Sequence, residues 1–199
     1  MNRKECIESV KNYKPYNAQE EKDKELILDF LEHKENAFYR TCLEAHMTAS
    51  AWVVNEDMTK ALMAYHKIYD SWSWLGGHAD GEEDLLEVAI KEVKEESGIE
   101  HVYPYDKEIF SLESLTVDGH EKNGEYVSSH LHLNITYLFI ADDSEELHIK
   151  EDENSGVSWF LLDEALESSN EAWFKERIYS KLNEKVKMIK ERKDERNKL

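Results

Sequence analysis

Residues 76–99, GGHADGEEDLLEVAIKEVKEESGI, carry the pattern that decides the fold of this chain. Apolar residues recur there at the spacing of one helix face, which predicts a helix over residues 83–97 that docks on a β-sheet. Gly98 stands where a glycine commonly ends a helix, because glycine adopts a left-handed backbone conformation at little steric cost. The stretch therefore predicts a helix that glycine-containing turns bound on both sides.

Three carboxylates lie beside the apolar face of this predicted helix. Glu95 and Glu96 follow Glu92 by three and four residues, so the three side chains share one face. Exposed like charges at this spacing destabilise a helix by about 0.2–0.5 kcal/mol per pair, and a bound divalent cation would reverse that effect. Mg²⁺ commonly combines carboxylates with waters and substrate phosphates. The cluster therefore indicates a metal site for a phosphate-containing substrate, with an ordinary solvated helix face as the alternative.

The spacing of the whole stretch matches a known family signature. It fits the pattern G-x5-E-x7-R-E-U-x-E-E-x-G-U, where U is aliphatic, at eight of nine defined positions: Gly77, Glu83, Glu92, Val93, Glu95, Glu96, Gly98 and Ile99. Lys91 is the one departure, because the pattern has arginine there. The chain thus resembles the Nudix hydrolases, with the Nudix box at residues 77–99, and among them a subgroup with GGH at the start of the box. The similarity covers about residues 40–166.

This resemblance implies a fold and an activity. The fold is an α/β (α+β) one, the α/β/α Nudix sandwich with a mixed β-sheet. We expect a helical extension over residues 1–45, a Nudix domain over residues 46–169, and an amphipathic helix over residues 170–199 that packs on the domain or at a dimer interface. The implied activity is hydrolysis of a nucleoside diphosphate linked to another moiety. It depends on Mg²⁺ or Mn²⁺ and proceeds by attack of metal-activated water on phosphorus.

The resemblance also implies metal ligands. Their counterparts here are the side chains of Glu92, Glu95 and Glu96, the backbone carbonyl of Gly76, and Glu83 as a weaker, metal-linked carboxylate.

Other residues match the family's catalytic roles. Lys91 takes the place of an arginine that orients the catalytic glutamates, and Glu87 and Glu95 lie one helical turn from it. Because lysine is a point charge rather than a planar fork, the orientation should be looser. The general base is Glu96 or Glu95 within the box, or Glu153 from a later loop. The alternative for Glu153 is an ordinary surface acid.

Several residues outside the box are weaker candidates for substrate contacts. His130 and His132 share one face of a predicted strand and could contact phosphate or a base edge, although half-exposed strand positions are the alternative. As zinc ligands they would need a third partner, which the sequence does not place. Trp74 could stack on a nucleobase or belong to the core. His78 and Arg40 complete this set.

Composition and charge restrict the partners. The net charge of −19 disfavours binding to nucleic acid backbone, because the field of the protein repels phosphate. No apolar run has the length of a membrane span, and the first residues lack the pattern of a secretory signal. We therefore expect a cytoplasmic protein that acts on a small nucleoside diphosphate derivative, without nucleic acid or membrane partners. Either terminal helix could serve a homodimer interface.

Periodicity predicts the remaining elements: a helix over residues 18–39, a hairpin of the strands HMTASAWVVN and TKALMAYHKI, strands over residues 109–118 and 127–141 with a loop over residues 119–125 between them, and a long helix over residues 171–198.

Two alternative functions remain open at this point. One is a Nudix-fold binding or regulatory module without turnover, for which Lys91 is the only support. The other is an isomerase of isopentenyl diphosphate, which shares the fold. That enzyme needs a catalytic cysteine in the strand region ahead of the box, and Cys42 is the only candidate.

Overall fold

The computed structural model describes residues 1–122 and 124–196. Within these residues the β-strands are β1 Ala45–Asn55, β2 Lys60–His66, β3 Ser71–Ser73, β4 Leu75–His78, β5 Val102–Pro104, β6 Ser111–Val117, β7 His120–Lys122, β8 Glu125–Val127, β9 His130–Ala141 and β10 Asn154–Leu161. The helices are α1 Arg3–Asn12, α2 Ala18–His33, α3 Leu85–Ser97, α4 Leu162–Ser168, the short α5 Ala172–Phe174, and α6 Ser180–Arg196, with a π-helical turn, Lys175–Tyr179, before α6. None of these helices is long and apolar enough to cross a membrane.

Eight strands form one sheet, whose path runs β10–β2–β1–β9–β5. β3 pairs with β2, β4 with β1 and β6 with β9, while β7 and β8 form a separate two-stranded sheet. The predicted hairpin is confirmed: β1 and β2 are antiparallel, with Val54 opposite Ala61. Helices and a mixed sheet in one chain confirm the predicted fold class.

The chain divides into two compact units. The first unit comprises Met1–Ala51, Gly76–Glu92 and Asp106–Tyr137. The second comprises Trp52–Leu75, Val93–Tyr105 and Leu138–Leu199. The boundaries fall inside continuous elements, so β1, β9 and α3 each contribute residues to both units.

A buried polar cluster sits on β9 in the first unit. The structure buries both faces of this strand over most of its length. Asn134 and Thr136 are fully buried, and each donates a hydrogen bond to Glu113 Oε2, at 3.1 and 2.8 Å. Thr48 and Ser50 of β1 donate to Asn134 Oδ1, at 3.0 and 2.9 Å. These hydrogen bonds satisfy the buried polar groups and so offset the free-energy cost of removing them from water.

Several sequence-based element predictions were wrong in detail. The predicted helix over residues 18–39 ends at His33. There the guanidinium of Arg3 donates to the carbonyl of Leu31, in the last turn of the helix, and to that of Glu35, just beyond it. The predicted loop over residues 119–125 contains β7 and the first residue of β8, and its residue 123 lies outside the described residues.

The predicted helix over residues 171–198 is interrupted, and residues 197 and 198 lie outside the described part of the chain. The π-helical turn inserts an extra residue per turn, which rotates the residues that follow it. Ile178, Tyr179 and Leu182 are fully buried, whereas Trp173, which precedes the turn, is exposed.

Candidate active site

Two glycines let β4 approach its neighbours closely in the first unit. A β-carbon on Gly77 would come closer than 3.0 Å to the carboxylate carbon of Glu92, a separation that real β-carbons essentially never show. A β-carbon on Gly76 would lie 2.6 Å from the carbonyl oxygen of Ala49 on β1. The glycines that open the box therefore make room for the Glu92 carboxylate on one side and for a neighbouring strand on the other.

A carboxylate cluster occupies the second unit at the C-terminal half of α3. Glu96 follows Glu92 by one helical turn and is only 1% exposed. Its carboxylate and that of Glu153 offer oxygen atoms within 4.8 Å of each other. Asn154 Nδ2 donates to the backbone carbonyl of Glu96 at 2.9 Å, which fixes the loop before β10 on the end of α3. The fold thus brings together two glutamates that are far apart in sequence.

A lysine and a histidine complete this cluster, and sequence reasoning missed both. Lys150 Nζ lies 3.1 Å from Glu95 Oε2 and 3.1 Å from Glu153 Oε2, so one ammonium group bridges two carboxylates. His66 Nε2 lies 3.8 Å from Glu96 Oε1. Burial lowers the pKa of His66, and the Trp74 backbone and the charge of Glu153 oppose that shift only in part. The sequence signal for Lys150 was its position three residues before Glu153 in an acidic loop.

A match to a known protein family identifies the family of this chain. A family model described as the NUDIX domain matches residues 44–182. The chain belongs to the Nudix family. It is accordingly a Nudix hydrolase, an enzyme that acts on phosphorus-containing anhydrides, and the family generally uses divalent metal ions. A comparison with curated protein sequences found no match.

Solved Nudix structures share the fold. A NUDIX-family hydrolase from Clostridium perfringens is 22% identical, with a TM-score of 0.52 over 72% of this chain and 97% of that one. The NUDIX domain of Shewanella oneidensis NrtR, complexed with ADP ribose, is 14% identical, with a TM-score of 0.52 over 79% and 97%. A C. elegans Ap4A hydrolase in a binary complex is 19% identical, with a TM-score of 0.50 over 72% and 96%.

Three further predicted site residues lie in the first unit: Glu83 and Lys91 of the Nudix box, and Arg40 outside it. Glu83 Oε2 accepts a hydrogen bond from the backbone N–H of Arg3 at 2.8 Å, so this carboxylate contacts the N-terminal helix. Lys91 is exposed on α3. Arg40 forms a two-pronged ion pair with Asp80, in which Nε donates to Oδ1 at 2.6 Å and Nη2 contacts Oδ2.

Trp74 lies in the second unit of the Nudix hydrolase. Its ring is 7% exposed and meets the rings of Tyr179 and Phe174 edge-on, with centroids 5.8 and 6.2 Å apart. This packing resembles a core position more than an open stacking platform. The predicted contact between Trp74 and a nucleobase stays a prediction.

Four histidines form a second cluster, in the first unit. His46 lies on β1, His78 on β4, and His130 and His132 on β9. The ring of His46 lies 4.9–5.1 Å, centroid to centroid, from each of the other three rings. Burial is the main cause that lowers the pKa of His132 far below its usual range, and the neighbouring imidazoles lower it further. Burial also lowers the pKa of His46.

Proposed function

We propose that this Nudix hydrolase is a divalent-metal-dependent pyrophosphohydrolase that cleaves a nucleoside diphosphate linked to another moiety. The observation that carries the proposal is the buried carboxylate of Glu96, which lies on the box helix next to Glu153. A buried carboxylate is costly unless cations or hydrogen bonds offset its charge. A divalent cation held by Glu96 and its neighbouring carboxylates would offset the negative charge that the fold gathers here, in a protein whose net charge is −19.

The donor set suits Mg²⁺ or Mn²⁺. Carboxylates and backbone carbonyls are hard oxygen ligands, the type that both ions prefer. The space beside Gly77 fits the same purpose, because a β-carbon there would fill the room that the Glu92 carboxylate occupies. The residues that would hold the ion are the side chains of Glu92, Glu95 and Glu96 and the backbone carbonyl of Gly76, with Glu83 as a weaker contributor.

A bound metal ion and the side chains of the protein would contribute different parts of the reaction. A bound divalent ion neutralises phosphate oxygens and lowers the pKa of attacking water. Glu153 is 43% exposed and can accept the proton of that water, with Glu96 and Glu95 as the other candidates for the base. Lys150 balances the charge of Glu95 and Glu153, and Lys91 orients the glutamates of α3.

Named relatives support a nucleotide-derived substrate. The C. elegans protein is an Ap4A hydrolase, and the Shewanella NrtR domain is complexed with ADP ribose. Both molecules contain a nucleoside joined to a further moiety through phosphates, and we propose a substrate of that class. Contacts to it from Trp74, His78, His130, His132 and Arg40 remain predictions.

A hydrolysis assay tests the proposal. Wild-type protein, Glu96→Gln and the matched control Glu100→Gln on an exposed residue are incubated with ADP-ribose, Ap4A, sugar nucleotides and nucleoside triphosphates, with Mg²⁺, Mn²⁺ or EDTA. We expect metal-dependent cleavage of at least one compound, a loss of about 10²–10⁴-fold in Glu96→Gln, and wild-type rates in Glu100→Gln. If the wild type cleaved none of them, a binding or regulatory module would replace the enzyme.

A further inference from the structure

The histidine cluster supports an inference that the Nudix box does not supply. It combines residues from three strands of one sheet, because both β4 and β9 pair with β1. His46, His130 and His132 each offer a ring nitrogen within 4.8 Å of the others. His78 adds a fourth ring, whose Nε2 lies 3.2 Å from Nε2 of His132. The sequence predicted only that His130 and His132 share one face of a strand. The third histidine, His46, lies on β1, far from them in the sequence.

Hydrogen bonds on the outer side of two rings set their tautomers. The Nδ1 atom of His130 lies 2.9 Å from the carbonyl oxygen of Ser128, and that of His46 lies 3.3 Å from the carbonyl oxygen of Cys42. Carbonyl oxygens only accept, so both Nδ1 atoms carry the hydrogen and both Nε2 atoms of the neutral rings present a lone pair. His46 Nε2 is buried and has no hydrogen-bond partner among the described residues.

Hydrogen bonds cannot satisfy the inner side of the cluster. Nε2 of His132 lies 3.2 Å from Nε2 of His130 and also 3.2 Å from Nε2 of His78. One ring nitrogen carries at most one hydrogen, so His132 cannot donate to both neighbours. Nε2 of His130 cannot donate either, because its hydrogen is on Nδ1. Lone pairs therefore converge on this space, and a cation placed among them would remove their repulsion.

We propose that His46, His130 and His132 bind a divalent transition-metal ion, Zn²⁺, with His78 beside the site. Neutral imidazole is a preferred ligand of zinc, whereas Mg²⁺ prefers oxygen. Zinc–nitrogen bonds of about 2.0–2.1 Å in a tetrahedron put ligand nitrogens about 3.3 Å apart. The Nε2 atoms of His130 and His132 lie 3.2 Å apart, close to that spacing. Histidines that bind metals also commonly donate their other N–H to a carbonyl, as His46 and His130 do.

Charged groups near the cluster do not prevent cation binding. The guanidinium of Arg40 is the positive charge that acts on His46 and His132. Its ion pair with Asp80 compensates that charge within the same region. The ion would tie β1 to β9 beside β4, the strand that opens the Nudix box. This binding would be independent of the carboxylates that we propose for catalysis.

Cobalt titration of the full chain without a histidine tag tests the site. The protein is stripped with EDTA and titrated with Co²⁺, whose tetrahedral complexes absorb strongly in the visible range, unlike its octahedral oxygen complexes. We expect each protein molecule to bind one Co²⁺ ion with strong visible absorption. Zn²⁺ should displace this ion, and excess Mg²⁺ should not. Zn²⁺ at 100 times its Kd should raise the Tm by about 5–10 °C. Absence of the visible bands in the wild type would overturn the proposal.

Matched variants locate the ion. His130→Asn and His132→Asn each change a half-buried residue. Each variant should bind Co²⁺ at least tenfold more weakly and should lack the visible absorption bands. The visible bands should remain in two control variants: His101→Asn, which changes an exposed histidine, and Glu96→Gln. Bands that survive in both cluster variants would overturn the site. Thermal melts in EDTA confirm that each variant folds, and the Mg²⁺-dependent hydrolysis assay separates this proposal from the proposed function.

Discussion

Gly77 and Glu92 fit together so closely that the structure leaves no space for a β-carbon at residue 77. In Gly77→Ala the added methyl group would displace the carboxylate of Glu92, which is the far end of a flexible side chain. We expect little change in the free energy of unfolding. The Mg²⁺ concentration for half-maximal hydrolysis should rise about 10–100-fold, the usual cost of disturbing a metal ligand.

The neighbouring glycine provides the control. In Gly76→Ala the β-carbon would lie 2.6 Å from Ala49 O and 2.8 Å from Ser50 Cα, which are backbone atoms that cannot swing away. This variant should lose about 1–3 kcal/mol of stability in urea unfolding. If Gly77→Ala were equally unstable and kept its Mg²⁺ dependence, the role proposed for Glu92 would be wrong.

We expect Lys150 to compete with metal ions for two carboxylates. Because its ammonium group contacts both Glu95 and Glu153, a divalent ion must displace it or tolerate its charge. Lys150→Gln should therefore lower the Kd for Mn²⁺, measured calorimetrically without substrate, about two- to fivefold. Lys94→Gln, which removes a lysine paired with Glu100 across 3.9 Å, should leave the Kd unchanged. Weaker Mn²⁺ binding in Lys150→Gln would contradict this competition.

Lys91 holds the one box position that departs from the family pattern. Arginine offers a planar fork for two carboxylate oxygens, which a lysine ammonium does not match. Lys91→Arg should keep or raise kcat/KM, and Lys91→Met should lower it, with Mn²⁺ binding as the check that the metal site persists. A clear loss of activity in Lys91→Arg would mean that the orienting role is wrong.

The C-terminal helix packs within the second unit. Leu182 is fully buried there, and Asn183 Nδ2 donates to the carbonyl of Leu162 at 2.6 Å. Leu182→Ala should cost about 2–5 kcal/mol in urea unfolding without changing the mass in solution. Met188→Ala, at an exposed residue of the same helix, should stay within about 0.5 kcal/mol of wild type. A Leu182→Ala variant that dissociates a dimer but unfolds normally would place this helix at an interface instead.

Local spacing predicted much of this protein. The box helix, predicted over residues 83–97, is observed as Leu85–Ser97, and Gly98 has the positive φ of 74° that the predicted helix end requires. The β1–β2 hairpin was predicted equally well. Both depend on neighbours within about a dozen residues, so the sequence contains all the information they need.

Tertiary contacts decided the rest. The sequence by itself determined the family, the box helix and its three glutamates, because these depend on residue types at short, fixed separations. Only the fold brought Lys150 and Glu153 to Glu95, and only the pairing of β4 and β9 with β1 brought four histidines together. The physical reason is that strand pairing joins segments of any sequence separation, and its register follows from packing over the whole sheet.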